Sequence, residues 1–230
     1  MPPIKTRGRP FPRRHPAGSS KQARSHETTE RAARKRETHE RILQSAGHIV
    51  RREGLRAASV PRVMGGAGLT VGGFYAHFPS KTAMDVEVVS SLLGQVPGRW
   101  LSGLDDLQGV EWVLHALTRY LSIVHRDNRD GCPYPAVLSE LASAPQPVKD
   151  AFSETVEAHV RAFEARVPAA EGVSARERAL AIMALTIGGI LLSRATFGHE
   201  ISEEMLAACR RFALPEAFDA PRAHVQERVR

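Results

Sequence analysis

Apolar residues first take up a helical rhythm near Glu37. Ile42, Leu43, Ala46, Ile49 and Val50 recur at spacings of three and four until Gly54, which gathers them on one side of a helix. Ser59 predicts an N-cap for a second helix, with Val60, Val63, Met64 and Ala67 along one side. Pro61 suits its first turn, where a backbone N–H has no partner anyway. Gly65, Gly66 and Gly68 end it. Thr70 predicts the cap of a third helix over 71–78; Pro79 stops that one, and Ser80 caps a fourth over 81–93.

Beyond Pro97 the pattern predicts longer helices. Val110, Val113, Leu114, Leu117, Tyr120, Leu121 and Val124 form one stripe. A helix follows "DGCPYP", with Val137, Leu138 and Leu141 apolar, and Phe152, Val156, Val160, Phe163 and Val167 mark the next. Residues 175–195 are apolar on nearly all sides, which predicts burial on more than one face. The core covers one face, and a partner chain is the natural cover for the other. A last helix over 202–213 precedes a polar tail. No strand alternation and no internal repeat occur, so the fold class is all-α.

The segment 71–78 raises a question, because glycine weakens a helix by about 1 kcal/mol relative to alanine and Gly72 and Gly73 stand side by side. On a helical wheel Val71, Phe74, Tyr75 and Phe78 share one arc, the expected packing side. Gly72, Gly73, Ala76 and His77 share the opposite, nearly bare arc. A bare arc lets the backbone approach something closely. Another helix and the floor of a DNA major groove are the two candidates. Two short helices joined by a glycine-containing turn make a helix-turn-helix, whose second element reads DNA.

Charge supports the groove. Residues 1–90 hold 17 Lys and Arg against 7 Asp and Glu, a balance of +10; residues 91–230 hold 15 against 18, or −3, and the two give the net +7. A basic front on a mildly acidic body suits a polyanion, with nucleic acid ahead of a membrane surface. Within the front, Arg7-Gly8-Arg9-Pro10 resembles the AT-hook, an arm that lies in the A·T minor groove. The bare arc carries no Arg, Lys, Asn or Gln for bidentate base contacts. Discrimination is therefore expected to lean on Thr70, Val71 and DNA shape.

From Glu37 to about Val89 the chain resembles the N-terminal domain of TetR-type (tetracycline-repressor-like) transcriptional regulators. The residues carrying the resemblance are "ILQSAGHIVRREGLRAASV" and "GLTVGGFYAHFPSKTAM". Pro61, Gly65–Gly66 and Val71 depart from the usual pattern. The resemblance implies an N-terminal three-helix helix-turn-helix DNA-binding domain, then a helical-bundle domain that senses ligand and dimerises through its last two long helices. The expected division is a disordered basic arm over 1–36, the DNA-binding domain over 37–94, the sensing domain over 95–214 and a tail over 215–230. It further implies that Thr70, Val71, Gly72 and Gly73 meet base edges or the groove floor, and that Ser59, Tyr75, His77 and Lys81 hold phosphates. The implied partners are an operator in double-stranded DNA, a small-molecule inducer and a second copy of the chain, in the cytoplasm. An architectural DNA-binding protein without an inducer is the competing reading.

Candidates for the sensing half are Trp112, Cys132, Tyr134, Phe152, His159 and Phe163, aromatic or polar residues at helical spacing. "DGCPYPAVLSELA" resembles a Gly-Cys motif of one branch of these regulators, some members of which respond to electrophiles. A helix N-terminus beside Cys132, helped by Arg126 and Arg129, is expected to lower its thiol pKa. Cys209, on the last helix, reads as packing. Two cysteines alone argue against a disulfide scaffold and fit a reducing cytosol. The apolar run 179–192 is too short to span a bilayer, and the basic, proline-rich start does not read as a secretory signal. The ten histidines are dispersed without zinc spacing. No phosphate loop, nucleophile elbow, paired carboxylates or HExxH pattern points to an enzyme or to a cofactor.

Overall fold

The computed structural model describes residues 19–128, 132–169 and 172–215, with side chains described from residue 26 onward. Ten α-helices and one 3₁₀ segment occupy these residues, which contain no strand. The order is α1 (Ser19–Glu53), α2 (Val60–Gly66), the 3₁₀ segment (Val71–Ala76), α3 (Lys81–Gly94), α4 (Val96–Trp100) and α5 (Gly109–Tyr120). Then come α6 (Ile123–Asp127), α7 (Tyr134–Leu141), α8 (Gln146–Glu164), α9 (Ala175–Ala195) and α10 (Ile201–Ala213).

The expected disordered arm over 1–36 needs correction, because α1 already begins at Ser19. Ala, Arg, Lys and Glu dominate this stretch, and all four are strong helix formers. Exposed ion pairs one turn apart, Glu30–Arg34 at 3.9 Å and Arg36–Glu40 at 4.0 Å, add modest support. The motif Arg7-Gly8-Arg9-Pro10 and tail residues 216–230 lie outside the described residues. The chain divides into two units, Met1–Glu40 and Arg41–Arg230.

Within the second unit, one core cluster joins Ile42, Val63, Phe74, Phe78 and Leu93 to Tyr134, Val137 and Leu141. The boundary expected between 94 and 95 is thus no break in packing. The apolar faces of α3 and α8 meet there. A second cluster holds Trp112, Leu117, Leu121, Ile190, Leu206 and Leu214, where α5, α9 and α10 meet.

Local signals explain most boundaries. Ser80 accepts a hydrogen bond from the Ala83 N–H at 3.1 Å, capping α3. Ser174 and Glu177 form a capping box at the start of α9. The single helix expected along the 110–124 stripe is broken: α5 stops at Tyr120, and Ser122 caps α6 by accepting from the His125 N–H at 3.0 Å. That break leaves Val124 80% exposed. The short α4 escapes periodicity because Pro97 and Gly98 occupy a helix of only 5 residues.

Helix α9 runs beyond the apolar run that marks it. By length and composition the whole helix, unlike the run 179–192 alone, is apolar enough to cross a membrane. Here it packs between α8 and α10, with Ala179, Ile182, Gly189 and Ile190 buried. A Cβ at Gly189 would meet the Cys209 sulfur at 2.7 Å, so only glycine allows this approach of α9 to α10. Cys209 is a packing residue. Leu180, Leu191, Leu192 and Phe212 remain exposed on α9 and α10.

Candidate DNA-binding surface and ligand cavity

The element over 71–78 is tighter than expected. It is a 3₁₀ helix of 6 residues, Val71–Ala76, closed at its end by the Phe78 N–H donating to Phe74 O at 3.0 Å. Phe74 and Phe78 are fully buried and stack at 5.5 Å. They dock the segment on the core beside Met64 of α2. The packing face is rotated from the one read on the wheel. Tyr75, expected on the packing side, is 70% exposed, and Val71 is 47% exposed. His77 and Gly73, expected on the bare side, are half-buried.

The glycine pair therefore divides its work. A Cβ at Gly73 would sit 3.7 Å from Met64 Cε, an ordinary contact inside the head, whereas one at Gly72 would meet nothing within 4 Å. Thr70, Val71, Gly72, Tyr75 and Ala76 together form the exposed edge. Thr70 stands at the N-cap position but makes no side-chain capping bond there, and Ser59 likewise makes none for α2. Lys81 is placed differently from expectation. Its ammonium donates to both Asp85 oxygens, at 2.7 and 2.9 Å, so it serves α3 internally. Burial raises the Asp85 carboxyl above its ordinary value, and Lys81 opposes that shift.

Two contacts tie this head to the bundle. Glu140 of α7 accepts the Arg56 N–H at 2.7 Å, and the Arg56 guanidinium donates to Ser143 Oγ at 2.8 Å. Glu140 also presses against Gly54, whose φ of +89° suits glycine. The turn between α1 and α2 thus rests on the end of α7.

The start of α7 borders a cavity of about 60 Å³. Of the expected ligand residues, Tyr134, His159 and Phe163 line it. Trp112 and Phe152 do not: Trp112 stacks edge-on against Phe163 at 5.0 Å, and Phe152 packs on Tyr134 at 6.2 Å. Trp100, Tyr120, Met183, Thr186 and Ile187 also line the cavity, without a signal in the sequence. The last three lie three and four apart on α9, but an all-round apolar helix gives no sign of which stripe faces a cavity. Tyr134 Oη pairs with His159 Nδ1 at 2.5 Å, and Thr186 donates to Met183 O at 3.0 Å. The lining's hydroxyls are so satisfied among protein groups, leaving an apolar hollow.

Cys132 is not the activated thiol expected from the sequence. It is 3% exposed, and burial raises its pKa more than its hydrogen bond with Tyr120 Oη, at 3.1 Å, lowers it. Arg129, expected to help, lies outside the described residues. His125 donates from Nδ1 to Tyr120 O at 2.5 Å and lies tilted against Trp100, ring centroids 3.9 Å apart. Burial pushes His125 down to about 4, so it is neutral at pH 7.

Residues 42–88 match the family model of bacterial regulatory proteins of the tetR family. YvdT of Bacillus subtilis, an uncharacterised helix-turn-helix-type transcriptional regulator, is 33% identical over 93 residues, which cover 39% of this chain and 47% of that relative. The match thus spans about half of the relative's length. A TetR-family regulator from Agrobacterium tumefaciens shares the fold with a TM-score of 0.63 at 18% identity, over 79% of this chain and 98% of that one. The reduced form of NemR from Escherichia coli does so with a TM-score of 0.63 at 16% identity, over 75% and 95%. Residues 42–88 thus form a tetR-type head, and it is carried on an all-helical fold shared with these regulators.

Proposed function

We propose that the protein is a homodimeric repressor that binds a palindromic operator and releases it when a small molecule enters the bundle. The observation that carries this is the exposed Thr70–Gly72 edge with Tyr75 beside it, held on the buried Phe74–Phe78 pair. A rigid footing with a nearly bare edge lets backbone approach bases, while Thr70, Tyr75 and Ser59 offer hydroxyls to phosphates. Lys81 is left out of the contact set because Asp85 holds it. The exposed leucines and Phe212 on α9 and α10 support a second copy as their cover.

Release follows from α7. Its first residue, Tyr134, walls the cavity, and its end holds Arg56 through Glu140. A ligand that displaces Tyr134 shifts a rod of 8 residues whose far end carries the reading head. Two heads must match grooves about 34–36 Å apart, so a small tilt costs affinity at both half-sites together. The buried, raised Cys132 thiol favours a reversible ligand over an electrophile. Selection of genomic fragments with the purified protein, followed by footprinting, tests the reading. A protected palindrome upstream of a gene whose transcription rises when the regulator is deleted is expected. Binding without sequence preference would refute it.

A further inference from the structure

The cavity does not end at an apolar wall. Val96 and Trp100 line it on one side and, on the other, line a cleft of about 150 Å³ that also holds Arg51, Gln95 and Arg99. Two arginines line this cleft and no acidic residue does. Their positive charge is felt inward: Arg99 adds a small part to the lowering of His125 and offsets a small part of the burial that raises Cys132. Trp100, the shared wall, buries its indole N–H without an acceptor. A buried donor left unmet is costly and calls for an explanation.

We propose, resting on the ligand-responsive reading above, that the ligand is an amphipathic anion with an apolar body and a terminal carboxylate. The apolar body occupies the cavity among Tyr134, Phe163 and Met183. The carboxylate sits at the cleft against Arg99 and Arg51, where an oxygen is also available to the Trp100 N–H. The cavity at about 60 Å³ is below the usual size of ligand pockets. The body therefore enters by displacing the Trp100 wall, which merges cavity and cleft. The head group explains why the signal reaches DNA. Arg51 belongs to the last turn of α1 and donates to Gln95 at 3.1 Å. A carboxylate there competes with Gln95 and pulls on the first helix of the reading head.

The test uses the full chain with 4-phenylbutyrate, the matching alcohol 4-phenyl-1-butanol, and the variants Arg99→Gln and Arg51→Gln. Binding is followed by calorimetry, and DNA release by anisotropy of a selected operator. The carboxylate is expected to bind more tightly than the alcohol. Each arginine variant should weaken it about fivefold, the upper range for an exposed ion pair, and leave alcohol binding unchanged. Equal binding of acid and alcohol, unchanged carboxylate binding in both variants, or no carboxylate binding by a chain that still binds its operator would each overturn the proposal. Carboxylate binding that obeys the arginine pattern without releasing DNA would keep the site and refute the release mechanism instead.

Discussion

Replacing Gly72 with alanine separates folding from DNA contact. The added methyl meets nothing within 4 Å inside the chain, and Gly72 does not have positive φ. The substitution should therefore stabilise the free protein by about 0.4–1 kcal/mol, through reduced freedom of the unfolded chain. For a chain of this size that raises the melting temperature by about 1–4 °C. If the backbone at Gly72 presses against the groove floor, the same methyl displaces a contact at a base edge, an effect of about 1–3 kcal/mol. Operator affinity then falls by about 5- to 150-fold. The assays are a thermal melt and an anisotropy titration at fixed salt, with Gly73→Ala as control. That control places its methyl 3.7 Å from Met64 Cε and away from the exposed edge. A Gly72→Ala protein that melts higher and binds its operator as tightly as the parent would refute the close-approach argument.

Four further outcomes are expected. Phe74→Ala removes a fully buried ring stacked on Phe78 and should cost about 3–5 kcal/mol in urea unfolding. Stability should fall on acidification from pH 6.5 towards 4, by about 3 kcal/mol for His125 alone, because the unfolded histidine takes up a proton there that the buried one at about 4 refuses. His159, also lowered by burial, adds to this loss, while Asp85, raised by burial, offsets part of it at the acid end; unfolding curves across that range give the slope. Cys132 should react with iodoacetamide at neutral pH far more slowly than in urea, read by mass spectrometry, because it is buried and its thiol is raised. Glu140→Ala removes the acceptor of the Arg56 N–H and should leave ligand binding intact while weakening ligand-driven release of DNA; equal release by variant and parent would disconnect α7 from the signal.

The sequence by itself determined where most helices of the second unit start and stop. Ser80, Ser174, Pro79 and Gly54 act on backbone groups within a few residues of themselves, so their signals are local. It also determined the tetR-type head, whose glycine and aromatic pattern is carried in one short stretch. Only the tertiary structure decided which side of Val71–Ala76 faces outward. A 3₁₀ winding and the docking of Phe74 beside Met64 set that rotation, and neither is visible in a wheel drawn at α-helical pitch. The cavity was equally out of reach, since its wall combines α4, α5, α7, α8 and α9 from distant parts of the chain. The character of Cys132 belongs here too: a helix start beside a thiol suggests activation, but desolvation by residues far away in the sequence outweighs it. Local chemistry fixes the elements; burial, which depends on everything packed around a group, fixes what each side chain can do.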